Sequence, residues 1–171
     1  MSLGRGGVAA VLGYIGLCLV SQTIAQYLFA RALGPQLATV ERLAALPLPG
    51  WGPVQWRGIA VTRAAYLVSR VLLVPRRVTP PEVIATGPNL PQARALRTSR
   101  LVRLFWDRAR FPVVDVTARD TEQLVRVVDL RATGDGRTRT PFALVARLNA
   151  AGDVLAIEFL NRLFLPTSPD F

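Results

Sequence analysis

Histidine and lysine are absent from these 171 residues, and cysteine occurs once, as Cys18. Without histidine the chain cannot assemble a Ser-His-Asp or Cys-His nucleophile on its own, nor a zinc site of the usual histidine-rich kind. Carboxylates are then the remaining protein groups able to serve as bases or metal ligands. One cysteine excludes a disulfide framework or a thiolate cluster within one chain, and Cys18 lies in an apolar run where it reads as a small hydrophobe. All 21 basic residues are Arg, a bias that a GC-rich genome produces without selection for guanidinium chemistry.

Charge is also missing from the 25 residues Gly6 to Ala30, which are bracketed by Arg5 and Arg31. At ~1.5 Å per helical residue this run reaches roughly 37 Å, enough to cross a hydrocarbon core of ~30 Å. A secretory signal would need a shorter apolar stretch with a small-residue cleavage site, whereas Gln22, Thr23, Gln26, Tyr27 and Phe29 carry on to Arg31. Residues 1–33 therefore read as a transmembrane helix with its flanks. Gln22 and Gln26 share a face, and Ala9 and Gly13 form a small-xxx-small pair. Both favour packing against other helices, either of a multi-helix membrane protein or of a second copy.

Residues 34–53 read as a juxtamembrane linker. It ends in Pro47-Leu-Pro-Gly-Trp-Gly-Pro53, which cannot be helical, and Trp51 suits the interfacial zone. From Pro47 onward 18 Arg face 10 acidic residues. Positive segments beside a span stay on the cytoplasmic side, which places residues 54–171 in the cytoplasm.

That segment has the length of one α+β domain. Val54–Thr62 and Ala65–Val74 read as a strand hairpin around Arg63 and Ala64. Pro75–Pro91, with five prolines, reads as a long loop. Gln92–Arg110 reads as one amphipathic helix, with Ala95, Thr98, Val102, Phe105, Trp106 and Ala109 on one face and Arg97, Arg100, Arg103 and Arg108 on the other. Four further strands follow, Val113–Ala118, Gln123–Arg131, Phe142–Asn149 and Val154–Phe159, with Gly152 in the last turn and Thr133–Gly136 as a connecting loop. The fold class is α+β: an N-terminal transmembrane helix, then a small antiparallel sheet of about six strands crossed by one helix.

Chemistry-bearing patterns are sparse. Asp107, Asp115, Asp120, Glu122 and Asp129 are scattered and have Arg neighbours that would pair with them as surface ions. Gly134-Asp135-Gly136 has no downstream helix or lysine, so it lacks the context of a phosphate loop. Trp106 and Phe105 fall opposite the Arg stripe, which argues against a nucleic-acid stacking platform. The Arg face itself has two readings, a solvated surface or contact with anionic headgroups through Arg97, Arg100 and Arg103. No cofactor is expected.

The order of parts, with Pro53-x-x-Trp56-Arg57 after the membrane helix and Ala109-Arg110-Phe111-Pro112 ending the amphipathic helix, resembles the C-terminal region of the bacterial membrane-bound metal-dependent hydrolase-like family. Its members include LexA-binding inner-membrane proteins, and the resemblance spans nearly the whole chain. It implies a location in the bacterial inner membrane. Family members also carry several earlier membrane helices and a His-containing motif taken as the metal site, and this sequence has neither. The resemblance thus implies an accessory or recognition module without catalytic histidines. The alternative is a hydrolase subunit or fragment whose site is completed by another membrane chain. Trp56, Arg57 and Arg110 stand in the matching motifs and are the candidates for recognition, against structural roles at a strand start and a helix end.

Overall fold

The uncharged run forms one helix, α1 (Arg5–Leu33), in a computed structural model that describes residues 5–48, 52–87, 90–119, 121–132 and 142–161. From Val8 to Val20 its large apolar side chains are exposed on every face, while Ser21, Ala25, Phe29 and Leu33 are buried. The four-residue spacing puts those last four on one stripe. The helix is long and apolar enough to cross a membrane. Its hydroxyls turn inward, Ser21 donating to the Leu17 carbonyl and Thr23 to that of Leu19. That satisfies polar groups that hydrocarbon could not.

The chain divides into two units, Met1–Ile84 and Ala85–Phe171. In the first, a turn of 3-10 helix (Gly34–Thr39) leads to β1 (Arg42–Pro47), β2 (Gln55–Val61), β3 (Ala65–Leu72), β4 (Arg77–Val78) and all but the last residue of β5 (Glu82–Ala85). The sheet order is β1-β2-β3-β4, with β5 also on β3. The β2–β3 hairpin turns on Arg63 and Ala64 as read, closed by the Thr62 hydroxyl, which donates to the Ala65 carbonyl at 2.8 Å and accepts its N–H at 3.1 Å. The buried stripe of α1 packs against Ala45, Trp56, Ala60, Leu67 and Val71 of this sheet.

Several expectations are corrected here. The 34–53 segment is no simple linker, because Arg42–Pro47 pairs along β2 from Arg42↔Val61 to Pro47↔Trp56. An edge strand tolerates a proline at its end, so Pro47 stops β1 without preventing it. The Pro75–Pro91 stretch likewise holds β4 and β5, which occupy the gaps between its prolines. The strands beyond residue 34 thus form two sheets in two units, where one domain with about six strands was expected. Trp51 and the Thr133–Gly136 loop lie outside the described residues.

The second unit contains α2 (Pro91–Leu96), α3 (Arg100–Arg108) and a meander of β6 (Pro112–Arg119), β7 (Glu122–Asp129), β8 (Phe142–Asn149) and β9 (Val154–Asn161). The single helix expected over Gln92–Arg110 is two. Thr98 turns its hydroxyl onto the Ala95 carbonyl at 2.8 Å, and Ser99 is extended at φ −73°, ψ 132°. Short hydroxyl side chains that bond the backbone compete with helix continuation. Both helices cover one sheet face, where Ala93, Leu96 and Val102 meet Val114, Val125, Val127, Leu144, Ala146 and Leu148. The β8–β9 turn uses Gly152 at φ 89° as read, and Asn149 and Asp153 brace it with two mutual hydrogen bonds. The α+β class, the long apolar N-terminal helix and the antiparallel sheets are as the sequence implied.

Candidate binding groove

Helix α3 presents three surfaces rather than two. Val102 is fully buried and Phe105 and Trp106 are half-buried against the sheet, while Arg100, Arg103 and Asp107 face solvent. At 100° per residue, Leu101, Leu104 and Arg108 share the flank between these surfaces. Leu101 and Leu104 are 44% and 48% exposed. Beside that flank runs β9, whose Phe159 is 45% exposed and meets Phe105 edge to face, with ring centroids 6.1 Å apart and planes at 62°. Such an offset pair contributes about 0.5–1.5 kcal/mol beyond its buried area.

An open groove of about 640 Å³ lies here, with Leu101, Leu104, Phe105 and Phe159 as its apolar wall. Its polar end is built on Asp129, the last residue of β7. Asp129 is 6% exposed and accepts from the N–H of Arg110 at 2.9 Å, the N–H of Arg131 at 3.0 Å and Nε of Arg131 at 2.8 Å. Arg131 Nη2 also pairs with the same carboxylate at 2.8 Å and donates to the Arg108 carbonyl at 2.9 Å. The Asp129 charge is thereby matched by Arg131. Arg108, exposed in the last turn of α3, lines the rim as a further cation.

Each residue singled out in the sequence has a local account. Trp56 is 3% exposed in the core under α1, and its Nε1 donates to the Pro53 carbonyl at 2.8 Å. The Pro53-x-x-Trp56 spacing therefore serves as a turn lock. Arg57 is half-buried on β2, opposite Arg70 on β3. Arg110 is exposed, with its guanidinium 5.9 Å from the Phe111 ring centroid and its N–H on Asp129. Trp56 and Arg57 belong to the first unit and Arg110 to the second.

Arg97, Arg100 and Arg103 are all exposed, but only the last two stand on α3. Arg97 is in the turn after α2, and its guanidinium lies 5.1 Å over the Trp106 ring. The expected separation of aromatic and Arg faces therefore fails at this pair. Leu101, Leu104 and Phe159 escaped the sequence reading because the wall they form joins residues more than fifty positions apart. Among the described residues, no three His, Cys, Asp or Glu side chains stand together as a metal ion would need. Comparison with protein-family models, with curated proteins and with solved structures gives no match.

Proposed function

We propose that this chain is a membrane-anchored accessory domain that recognises a partner through its second unit and has no catalytic centre of its own. The observation that supports this reading most is the groove, where Leu101, Leu104 and Phe159 are exposed together beside Arg108. Clustered exposed apolar side chains with a polar rim characterise interaction sites on soluble surfaces. The groove's chemistry suits an apolar segment flanked by an acidic residue. The resemblance to membrane-bound hydrolase-like proteins supports a multi-helix membrane protein of the bacterial inner membrane as that partner. The excess of Arg after α1 supports the cytoplasmic side.

A fluorescent amphipathic peptide of Leu and Glu, titrated onto the full chain in nanodiscs of zwitterionic lipid, tests the reading. Anisotropy should rise saturably, Leu104→Asp should weaken binding at least tenfold, and a Leu/Arg peptide of equal length should not bind. Equal binding by Leu104→Asp and the parent would remove the groove as the recognition surface.

A further inference from the structure

The helical layer of the second unit carries its surface charge almost entirely in one sign. Between Glu82 and Asp115 the sequence holds Arg94, Arg97, Arg100, Arg103, Arg108 and Arg110 against a single acid, Asp107. The first four are all exposed. Other arginines are matched by a carboxylate: Arg63 has Glu41 at 3.4 Å, Arg131 has Asp129 at 2.8 Å and Arg147 has Glu122 at 3.7 Å. Among the described residues, Arg94, Arg97, Arg100 and Arg103 form no ion pair.

The fold gathers these four cations into one strip. Residues three apart on a helix are neighbours, which pairs Arg100 with Arg103 on α3. The same spacing pairs Arg94 with Arg97, which closes α2 with helical dihedrals, φ −65° and ψ −13°. The two pairs meet at Trp106, three residues beyond Arg103, because the Arg97 guanidinium lies 5.1 Å over its ring. The break at Thr98 and Ser99 therefore folds Arg97 back beside α3, and the cation–π contact keeps it there. Like charges at these spacings repel one another. The protein offers only Asp107, exposed one turn after Arg103, to offset them. Anions from outside the chain would relieve the rest.

We propose that this strip docks the second unit on anionic lipid headgroups, with Arg94, Arg97, Arg100 and Arg103 on the phosphates. Charge complementarity carries the assignment, and the anchor points to the source of the anions. A domain tethered to the bilayer that α1 spans meets its headgroups at a high effective concentration. Nucleic acid would call for open aromatic faces on which bases stack, whereas Trp106 is half-buried and Arg97 covers its ring. Each arginine near an anionic surface strengthens attachment about fivefold, and the attraction fades within a Debye length of ~8 Å at physiological salt. The strip is separate from the apolar wall of the groove, so lipid and a protein partner use different side chains. This inference rests on α1 being a membrane span.

The full chain in nanodiscs of phosphatidylcholine, mixed with sucrose-loaded vesicles, tests it through the fraction of chain that sediments with the vesicles. Vesicles containing phosphatidylglycerol should carry the chain down and pure phosphatidylcholine vesicles should not. Salt of about 1 M, where the Debye length is ~3 Å, should release it. Arg100→Gln combined with Arg103→Gln should weaken vesicle binding at least tenfold. Arg76→Gln combined with Arg77→Gln removes the same charge from exposed positions of the first unit and should weaken it less than about twofold. Both double variants should melt like the parent. Equal losses in the two would reduce the attraction to net charge and overturn the strip, as would equal sedimentation with both kinds of vesicle. A chain that ignores anionic vesicles but binds a single-stranded oligonucleotide through Arg100 and Arg103 would give the strip to nucleic acid and overturn the lipid assignment. Failure of the chain to enter the nanodisc would overturn the span, and the tethering argument with it.

Discussion

The ring of Phe29 rests directly on Gly58, so close that a β-carbon built at residue 58 would fall 2.5 Å from it. Both residues are buried, and their contact joins the apolar helix to the middle of the first sheet. Gly58→Ala is expected to cost about 1–3 kcal/mol, because the ring must leave its place. In a unit of this size each kcal/mol lowers Tm by about 4–8 °C. Calorimetry of the detergent-solubilised chain would read the shift. Gly13→Ala, where a β-carbon in the helix interior meets nothing within 4 Å, is the control and should not lower Tm, since alanine favours a helix over glycine.

Asp129 ties the end of α3, the start of β6 and the turn after β7 together. Asp129→Ala would strand the Arg110 N–H and release Arg131, and hydrogen bonds to a charged group contribute about 1.5–3 kcal/mol each. A loss near 2–4 kcal/mol is expected after allowing for the exposed side of Arg131, whose side chain is 45% accessible. Arg131→Ala should cost less, since water can replace part of what it donates. Denaturant titration of both variants would show the order, and an equal cost would mean that the backbone contacts of Asp129 contribute little.

The flank and the core side of α3 are expected to separate cleanly. Val102 is fully buried in the second unit's core, and burying a side chain of that size contributes about 1.5–3 kcal/mol, so Val102→Ala should destabilise measurably. Phe105→Ala should cost less than the ~3–5 kcal/mol of a fully buried ring, because Phe105 is half-exposed to the groove. Leu104→Ser should change stability by no more than about 0.5 kcal/mol. Thermal melts of the three variants would establish the ranking, and a large loss at Leu104 would show that its contacts are structural.

The parts legible in the sequence are those decided by neighbours along the chain. A 25-residue run without charge commits α1 to an apolar surrounding wherever it sits. The β2–β3 hairpin and the pairs β6–β7 and β8–β9 follow from alternating apolar residues around short turns, at Thr62–Ala65 for the first and Gly152 for the last. Local rules also misled where two signals competed. Proline-rich flanks hid β1, β4 and β5, and one helical stripe concealed the break that Thr98 and Ser99 impose.

Only the tertiary structure decided the rest. The division into two units, the length of α1 left free, the seat of Phe29 on Gly58 and the groove between α3 and β9 all depend on residues distant in sequence. Periodicity says which face of an element is apolar, and it carries no record of which other element covers that face. Phe105 and Phe159, 54 positions apart, lie within an aromatic contact because β9 folds back beside β8. The sequence by itself determined an apolar helix and a set of antiparallel strands; three-dimensional packing determined which of their surfaces remain open.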